Sequence, residues 1–256
     1  ARCSEEHGGP HESWFWNASL QGGGALNDML CHSIEAARFL LTAPEEDNEA
    51  LTPKAISADI ASLKWSRPEY AKRLKKTSEG QVDYSKKPVE DMARASIAYE
   101  TREELIVVSD LVASWSFVPG ERIYVELIGP EYYMHVDTIN PEMKVFFSRE
   151  IRSERKEEFL EKQAAEQGFM PVVPNEVSAY GYEEEHRHMT ESFLRGKMPK
   201  ETWKDGVLVV KLMMACYMAA ERNKKLAFPP TGLEDFVPKV AQGTWSPVEA
   251  VKTPFE

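Results

Sequence analysis

The stretch Gly22-Gly23-Gly24-Ala25-Leu26-Asn27-Asp28-Met29-Leu30-Cys31-His32 is the most informative in this 256-residue chain. Three glycines open it, and an apolar periodicity follows at once. Leu26, Leu30, Ile34, Ala37 and Leu41 recur at the spacing of one buried helical stripe, which predicts a helix over residues 25–41. Asp28 and His32 are four apart, so on a regular helix they share a face about one turn from each other. A histidine is a good base near neutral pH, and a neighbouring carboxylate raises its pKa and stabilises its charged form. The glycines let backbone approach a ligand closely at a helix N-terminus. Read alone, a spacing like that of Asp28 and His32 is more often a surface or capping pair than an acid–base site, and the glycines could be a simple flexible turn. The stretch is not a dinucleotide fingerprint, which needs G-x-G-x-x-G between a strand and a helix and an acidic residue about 20 positions on. Here the glycines are contiguous and no clear strand leads into them.

Upstream, residues 1–20 are polar and rich in His, Gly and Trp. Downstream, strand-like segments are predicted over 54–64, 91–100, 104–116, 122–127, 132–137 and 143–147. In the second of these, Met92, Arg94, Ser96 and Ala98 alternate with Ala93, Ala95, Ile97 and Tyr99, giving an inner face of small and aromatic residues. Pro119-Gly120 and Gly129-Pro130 mark turns. Residues 67–88 are charged and read as an excursion, and 149–167 as a solvated helix or arm. Helix returns over 177–196, closed by Gly196, and over 205–222, where Val209, Leu212, Met213, Cys216, Tyr217 and Ala220 fall at core spacing. A short strand at 225–228 and a Pro-rich tail finish the chain. One helix, a run of strands, then two helices predict an α+β fold: a large, open, mostly antiparallel sheet with helices packed on one face.

Composition narrows the function classes. Hydrophobic residues make up 42% and charged residues 29%, ordinary for a globular protein whose core needs no disulfide staples. The net charge is −11, from 31 basic and 42 acidic residues, and no basic face is evident, which argues against nucleic acid. The run Lys72, Arg73, Lys75 and Lys76 reads as a solvated helix or loop. Cys3, Cys31 and Cys216 lack CxxC spacing, which argues against a disulfide framework or zinc site and fits a reducing, cytoplasmic compartment. The longest apolar stretch, 207–220, contains Lys211 and is too short to span a bilayer, and no signal peptide is visible. The start at Ala1 suggests a processed product or a domain of something longer. His186 and His188 are two apart and cannot share a helical face, so no metal site is expected there; His135 reads as structural, and Met213, Met214 and Met218 as helix core.

The GGGALNDMLCHSIEAARFLL stretch resembles a signature of the glucose–fructose oxidoreductase/inositol dehydrogenase/MocA (Gfo/Idh/MocA) family, roughly GGG-x-L-x-D-x-x-x-H followed by an apolar helix. The segment from Glu6 to Trp16 resembles what leads into it in some members. Gly196-Lys197-Met198-Pro199, Asp205-Gly206 and the helix and strand after them are similar to the family's closing elements. The family joins a Rossmann domain that binds NAD or NADP to an α+β domain that supplies the substrate pocket. The resemblance implies that residues 1–256 are a single C-terminal substrate-binding and oligomerisation domain, beginning inside its first strand, with the Rossmann domain outside this chain. The family's catalytic lysine, in a Glu-Lys-Pro motif of the nucleotide-binding half, has no counterpart here, so these residues alone are expected to be inactive.

Carried over by position, His32 is the expected general base and Asp28 orients the substrate or His32. Sugars bind well against aromatic faces bordered by hydrogen-bonding groups, so Trp14, Trp16, His7, His11 and Asn27 are candidate substrate contacts; the competing reading puts both tryptophans in the core and both histidines on the surface. The resemblance implies an oxidoreductase acting on a sugar, glycoside or inositol with NAD or NADP, forming a homo-oligomer through its open sheet. Two alternatives stand beside it: an NAD-dependent glycosidase of the same fold, and a non-catalytic sugar-binding or oligomerisation module.

Overall fold

The computed structural model describes residues 1–44, 46–118, 120–139, 142–148, 168–172 and 181–247. Its strands are β1 (Arg2–Glu6), β2 (Thr52–Ala61), β3 (Met92–Glu100), β4 (Ile106–Ser114), β5 (Arg122–Ile128), β6 (Tyr132–Asp137), β7 (Glu142–Phe147), β8 (Gly168–Val172) and β9 (Leu226–Ala227). They form one sheet in the order β8-β7-β6-β5-β1-β4-β3-β2-β9. Neighbours run antiparallel except β1 and β4, which pair in parallel. The helices are α1 (Ala18–Gln21), α2 (Cys31–Leu41), α3 (Pro68–Thr77), α4 (Tyr182–Leu194), α5 (Trp203–Arg222) and α6 (Lys239–Gln242). This is the expected open, mostly antiparallel sheet with helices on one face: α2 lies against β1 and β4, and α5 against β2.

The apolar periodicities explain the packing. Leu26, Leu30, Ile34 and Ala37 are fully buried, as the stripe requires, and Leu41 half so. Burying each larger aliphatic side chain contributes about 1.5–3 kcal/mol. On β3 the residues Ala93, Ala95, Ile97 and Tyr99 are buried beneath the helices, and on α5 so are Val209, Leu212, Met213, Cys216 and Tyr217. A capping box starts α5: the Thr202 hydroxyl accepts from the Lys204 amide (3.2 Å), and the Asp205 carboxylate accepts from the Thr202 amide (2.8 Å).

The structure also departs from the sequence reading. The polar opening segment contains β1, a central strand with partners on both sides. It is the first strand in which the resemblance placed the start of the chain; periodicity did not show it, because Glu6 is buried yet paired with Arg122 and hydrogen-bonded by Ser4. The charged excursion contains α3, with Ala71 and Leu74 buried on its inner side. β8 was not anticipated, and the Pro-rich tail holds α6. The helix expected over 177–196 is observed as α4, with residues 173–180 outside the described residues; so is the charged arm expected at 149–167.

Candidate functional site

The glycine turn is built around a buried carboxylate. Gly24 and Leu26 donate their amides to Glu90 Oε1 at 2.8 and 3.1 Å, and Ala25 donates to the Glu90 carbonyl at 3.0 Å. The Tyr217 hydroxyl on α5 donates to the same Oε1 at 2.6 Å. A Cβ on Gly23 would stand 2.0 Å from the Tyr217 hydroxyl. The glycines therefore permit a close approach, but to Glu90 and Tyr217 rather than to a ligand. Burial pushes the Glu90 carboxyl up to about 7, against the hydrogen bonds from Tyr217, Gly24 and Leu26.

Directly after this turn, Leu26–Leu30 winds as a π-helical turn before α2 begins. Asp28 and His32 share a face only on a regular helix, and a π turn takes more residues per revolution. Asp28 accepts a hydrogen bond from Trp115 Nε1 at 2.9 Å, and the histidine within 4.0 Å of its carboxylate is His7, at 3.9 Å, not His32. His7 Nδ1 accepts from the Gly9 amide at 3.0 Å, so a neutral His7 ring carries its proton on Nε2, the nitrogen facing Asp28. Burial holds His7 below its ordinary pKa and lifts Asp28 above the usual carboxylate range; the Trp115 hydrogen bond opposes the lift.

Asp28 and His7 open into a cleft of about 760 Å³ that Glu5, His11, Phe15 and Phe117 also line. His32 stands one turn further on, exposed and outside the cleft lining. It is pushed up to about 9, first by the adjacent Cys31 side chain and then by the charges of Glu5 and Asp28, with burial opposing; the Cys31 thiol itself donates to the Asp28 carbonyl at 3.4 Å. Its electrostatic partners Glu5 and Asp28 are thus two of the cleft's four carboxylates.

The remaining expected residues divide. His11 is exposed on the cleft wall. Trp14 is 46% exposed and stacks on Phe15 with centroids 3.8 Å apart. Trp16 is only 6% exposed and belongs to the core: Trp65, Trp115 and Tyr84 pack around it at 5.0, 5.1 and 5.7 Å, and its Nε1 donates to the Pro10 carbonyl. Asn27 donates to the Gln21 carbonyl at 2.7 Å and closes the glycine turn instead of lining the cleft. His188, on α4, accepts from the Lys200 amide, and His135 lies 3.6 Å from Glu126 and stacks on Tyr124. Sequence reasoning missed Glu5 and Trp115, because neither the β1 position nor the one just past the end of β4 carries a local motif. It also missed the carboxylates of Glu35, Glu201 and Asp205, whose oxygens lie within 4.8 Å of one another with the Arg38 guanidinium bridging Glu35 and Asp205.

Among solved structures, levoglucosan dehydrogenase in complex with NADH and L-sorbose is 17% identical at a TM-score of 0.62, covering 90% of this chain and 58% of that one. GenD2 from gentamicin A biosynthesis in complex with NAD is 23% identical at a TM-score of 0.54, covering 89% and 54%. An aldose-aldose oxidoreductase from Caulobacter crescentus complexed with glycerol is 19% identical at 0.55, covering 89% and 55%. These likenesses establish the fold, and the chain spans little more than half the length of each. No curated protein sequence matches it. The model of the GFO/IDH/MocA C-terminal domain matches residues 1–134, more than half of the 256, and the chain belongs to that family.

Proposed function

We propose that this chain is the substrate-binding half of an NAD(P)-dependent oxidoreductase that oxidises a hydroxyl of a sugar, glycoside or inositol. The observation that carries the reading is the cleft in which Asp28, fixed by Trp115, faces His7. Paired acceptor and donor groups beside the apolar Phe15, Phe117 and Val118 suit a polyhydroxylated ring, and the sugar ligands and NAD named for the solved relatives agree with it.

The glycine turn offers no cradle for a dinucleotide, since Glu90 and Tyr217 fill the space beside it. NAD or NADP is therefore assigned to a nucleotide-binding half outside these residues, and when bound it accepts the hydride. This chain's residues handle the rest. Asp28 accepts from one hydroxyl of the ring and His7 Nε2 donates to another, which fixes the ring's orientation. His32 lies outside the cleft lining but beside its carboxylates Glu5 and Asp28. In its neutral form it takes the proton of the reacting hydroxyl, where the ring reaches out of the cleft, as the carbonyl forms, and releases it to water.

The test joins this chain to the nucleotide-binding half and follows reduction of NAD and NADP across sugars, glycosides and inositols, with His32→Ala alongside. We expect reduction with at least one substrate, and a loss of about 100-fold in kcat/KM for the variant. Unchanged turnover overturns the role of His32. Sugar release without accumulated NADH favours a glycosidase, and sugar binding without either favours a binding module.

The sheet face opposite the helices supports a homo-oligomer. It presents Arg2, Asp59, Arg94, Asp110 and Tyr124 around a shallow cleft of about 480 Å³. Light scattering of the full protein checks this: a monomer at micromolar concentration overturns it. The three unpaired thiols support a reducing compartment such as the cytoplasm.

A further inference from the structure

A second cleft, of about 550 Å³, adjoins the one at Asp28 and shares with it the wall formed by residues 8–11. Its floor is aromatic. Trp16 and Trp65 meet edge to face at 5.0 Å, and Trp65 and Tyr70 at 6.1 Å. The floor is also rigid. Trp65 Nε1 donates to the Trp115 carbonyl at 2.8 Å, and the Trp65 amide donates to Asp91 at 2.8 Å. Trp115 is the residue that holds Asp28, so one side chain's neighbourhood links the two clefts.

Two cations, Lys64 and Arg73, line this floor. Lys64 Nζ lies 4.5 Å from the Trp65 ring centroid and 5.6 Å from that of Tyr70. Among the described residues neither cation has a carboxylate within 4.0 Å, whereas Lys54, Lys75, Arg102 and Arg122 all do. The nearby Asp91 carboxylate accepts the amides of Leu63, Lys64 and Trp65 instead. Burial and the Arg73 guanidinium hold Lys64 below its ordinary pKa, with Asp91 opposing. Ring contacts hold Lys64 over the floor, and Arg73 reaches the same cleft from the exposed side of α3. In a chain of net charge −11, Lys64 and the exposed Arg73, with no carboxylate within 4.0 Å among the described residues, give this cleft a local positive charge that an anion would complement.

We propose that the second cleft is a subsite for an anionic sugar unit, bearing a carboxylate or a phosphate, of an extended substrate whose reacting unit lies beside Asp28. The charge sits between Lys64 and Arg73, and the ring packs beside the Trp65 and Tyr70 rings that Lys64 caps. A planar guanidinium suits either anion, and aromatic faces suit the apolar side of a sugar ring. The inference rests on the oxidoreductase reading of the first cleft.

The experiment measures binding to the full protein by tryptophan fluorescence at two salt concentrations. The probes are methyl glucuronide, glucose 6-phosphate and neutral methyl glucoside. The variants are Lys64→Gln with Arg73→Gln and, as control, Lys72→Gln with Lys76→Gln, two exposed α3 positions outside the cleft. We expect at least one charged probe to bind about tenfold more tightly than the neutral one, with the preference weakened by salt, abolished in the first double variant and kept in the control. Preference for the glucuronide or for the phosphate identifies the anion. Equal binding of charged and neutral probes overturns the subsite, as does an equal loss in both double variants. Hydride transfer to neutral sugars without any charge preference overturns this inference alone; a charge preference dependent on Lys64 and Arg73 without hydride transfer to any sugar overturns the oxidoreductase reading and leaves the subsite.

Discussion

A Cβ atom on Gly24 would stand 2.1 Å from the backbone carbonyl oxygen of Glu90 and 2.8 Å from its carboxyl carbon. The carbonyl is backbone within the core and has no flexible end to swing away. Gly24→Ala is therefore expected to destabilise the fold by about 3 kcal/mol or more, read as the midpoint of chemical denaturation. At Gly23 the obstacle is the Tyr217 hydroxyl. Gly23→Ala should be equally damaging, and Tyr217→Phe should recover part of its loss, a coupling that a double-mutant cycle measures.

Glu90 makes stability depend on pH. Its folded pKa, about 7, exceeds its ordinary value of 4.5. The unfolded chain thus releases this proton first as pH rises, and the contribution present below about pH 4.5 is lost progressively up to about pH 7. At about 1.4 kcal/mol per unit the loss amounts to about 3 kcal/mol. Glu90→Gln keeps an acceptor for Gly24 and Leu26 but cannot titrate. The variant's stability should fall less than the parent's between pH 5 and 7, a window of about two units around the shifted group; parallel curves would contradict this.

His32, raised to about 9, is charged at neutral pH, while a base must be neutral. kcat/KM of the full enzyme should accordingly rise with pH through an alkaline limb near 9. The Cys31 side chain is the largest cause of the raised value, so Cys31→Ala should move the limb to lower pH. A limb that stays in place in this variant would remove Cys31 from the account.

Trp115 acts on chemistry through Asp28. Trp115→Phe keeps most of the buried ring but removes the Nε1–H that holds the carboxylate. That bond lowers the Asp28 pKa against burial, so its loss should shift the acid limb of kcat/KM upward and reduce the plateau about tenfold. An altered denaturation midpoint with an unmoved pH profile would mean that Trp115 serves packing alone.

Trp14 and Trp16 should separate cleanly. Trp16→Ala removes a ring from a cluster of four and is expected to cost about 3–5 kcal/mol of stability. Trp14→Ala, on an exposed ring, should leave stability within about 0.5 kcal/mol. If Trp14 contacts sugar, KM rises; unchanged KM removes it from the site.

Much of the architecture was written in local periodicity. Leu26, Leu30, Ile34 and Ala37 declared a buried helical face because residues three and four apart meet whatever the rest of the chain does. Ala93, Ala95, Ile97 and Tyr99 declared a strand's inner face by the two-residue period for the same reason. The family signature also fell on this stretch, and Asp28 does line the cleft. The periodicity left β1 hidden, because a central strand whose buried Glu6 is neutralised by Arg122, more than a hundred positions away, has no apolar signature of its own.

What tertiary structure decided are the contacts between distant parts of the chain. Gly24 meets Glu90 and Tyr217 across 66 and 193 positions, and Trp115 reaches Asp28 across 87. These contacts turned the glycines into a packing device, gave Asp28 to His7 rather than His32, and sorted two tryptophans two residues apart into core and surface. Such pairings depend on strand order and helix placement, so composition and spacing along the sequence could specify the elements but not which side chains the sheet would bring together.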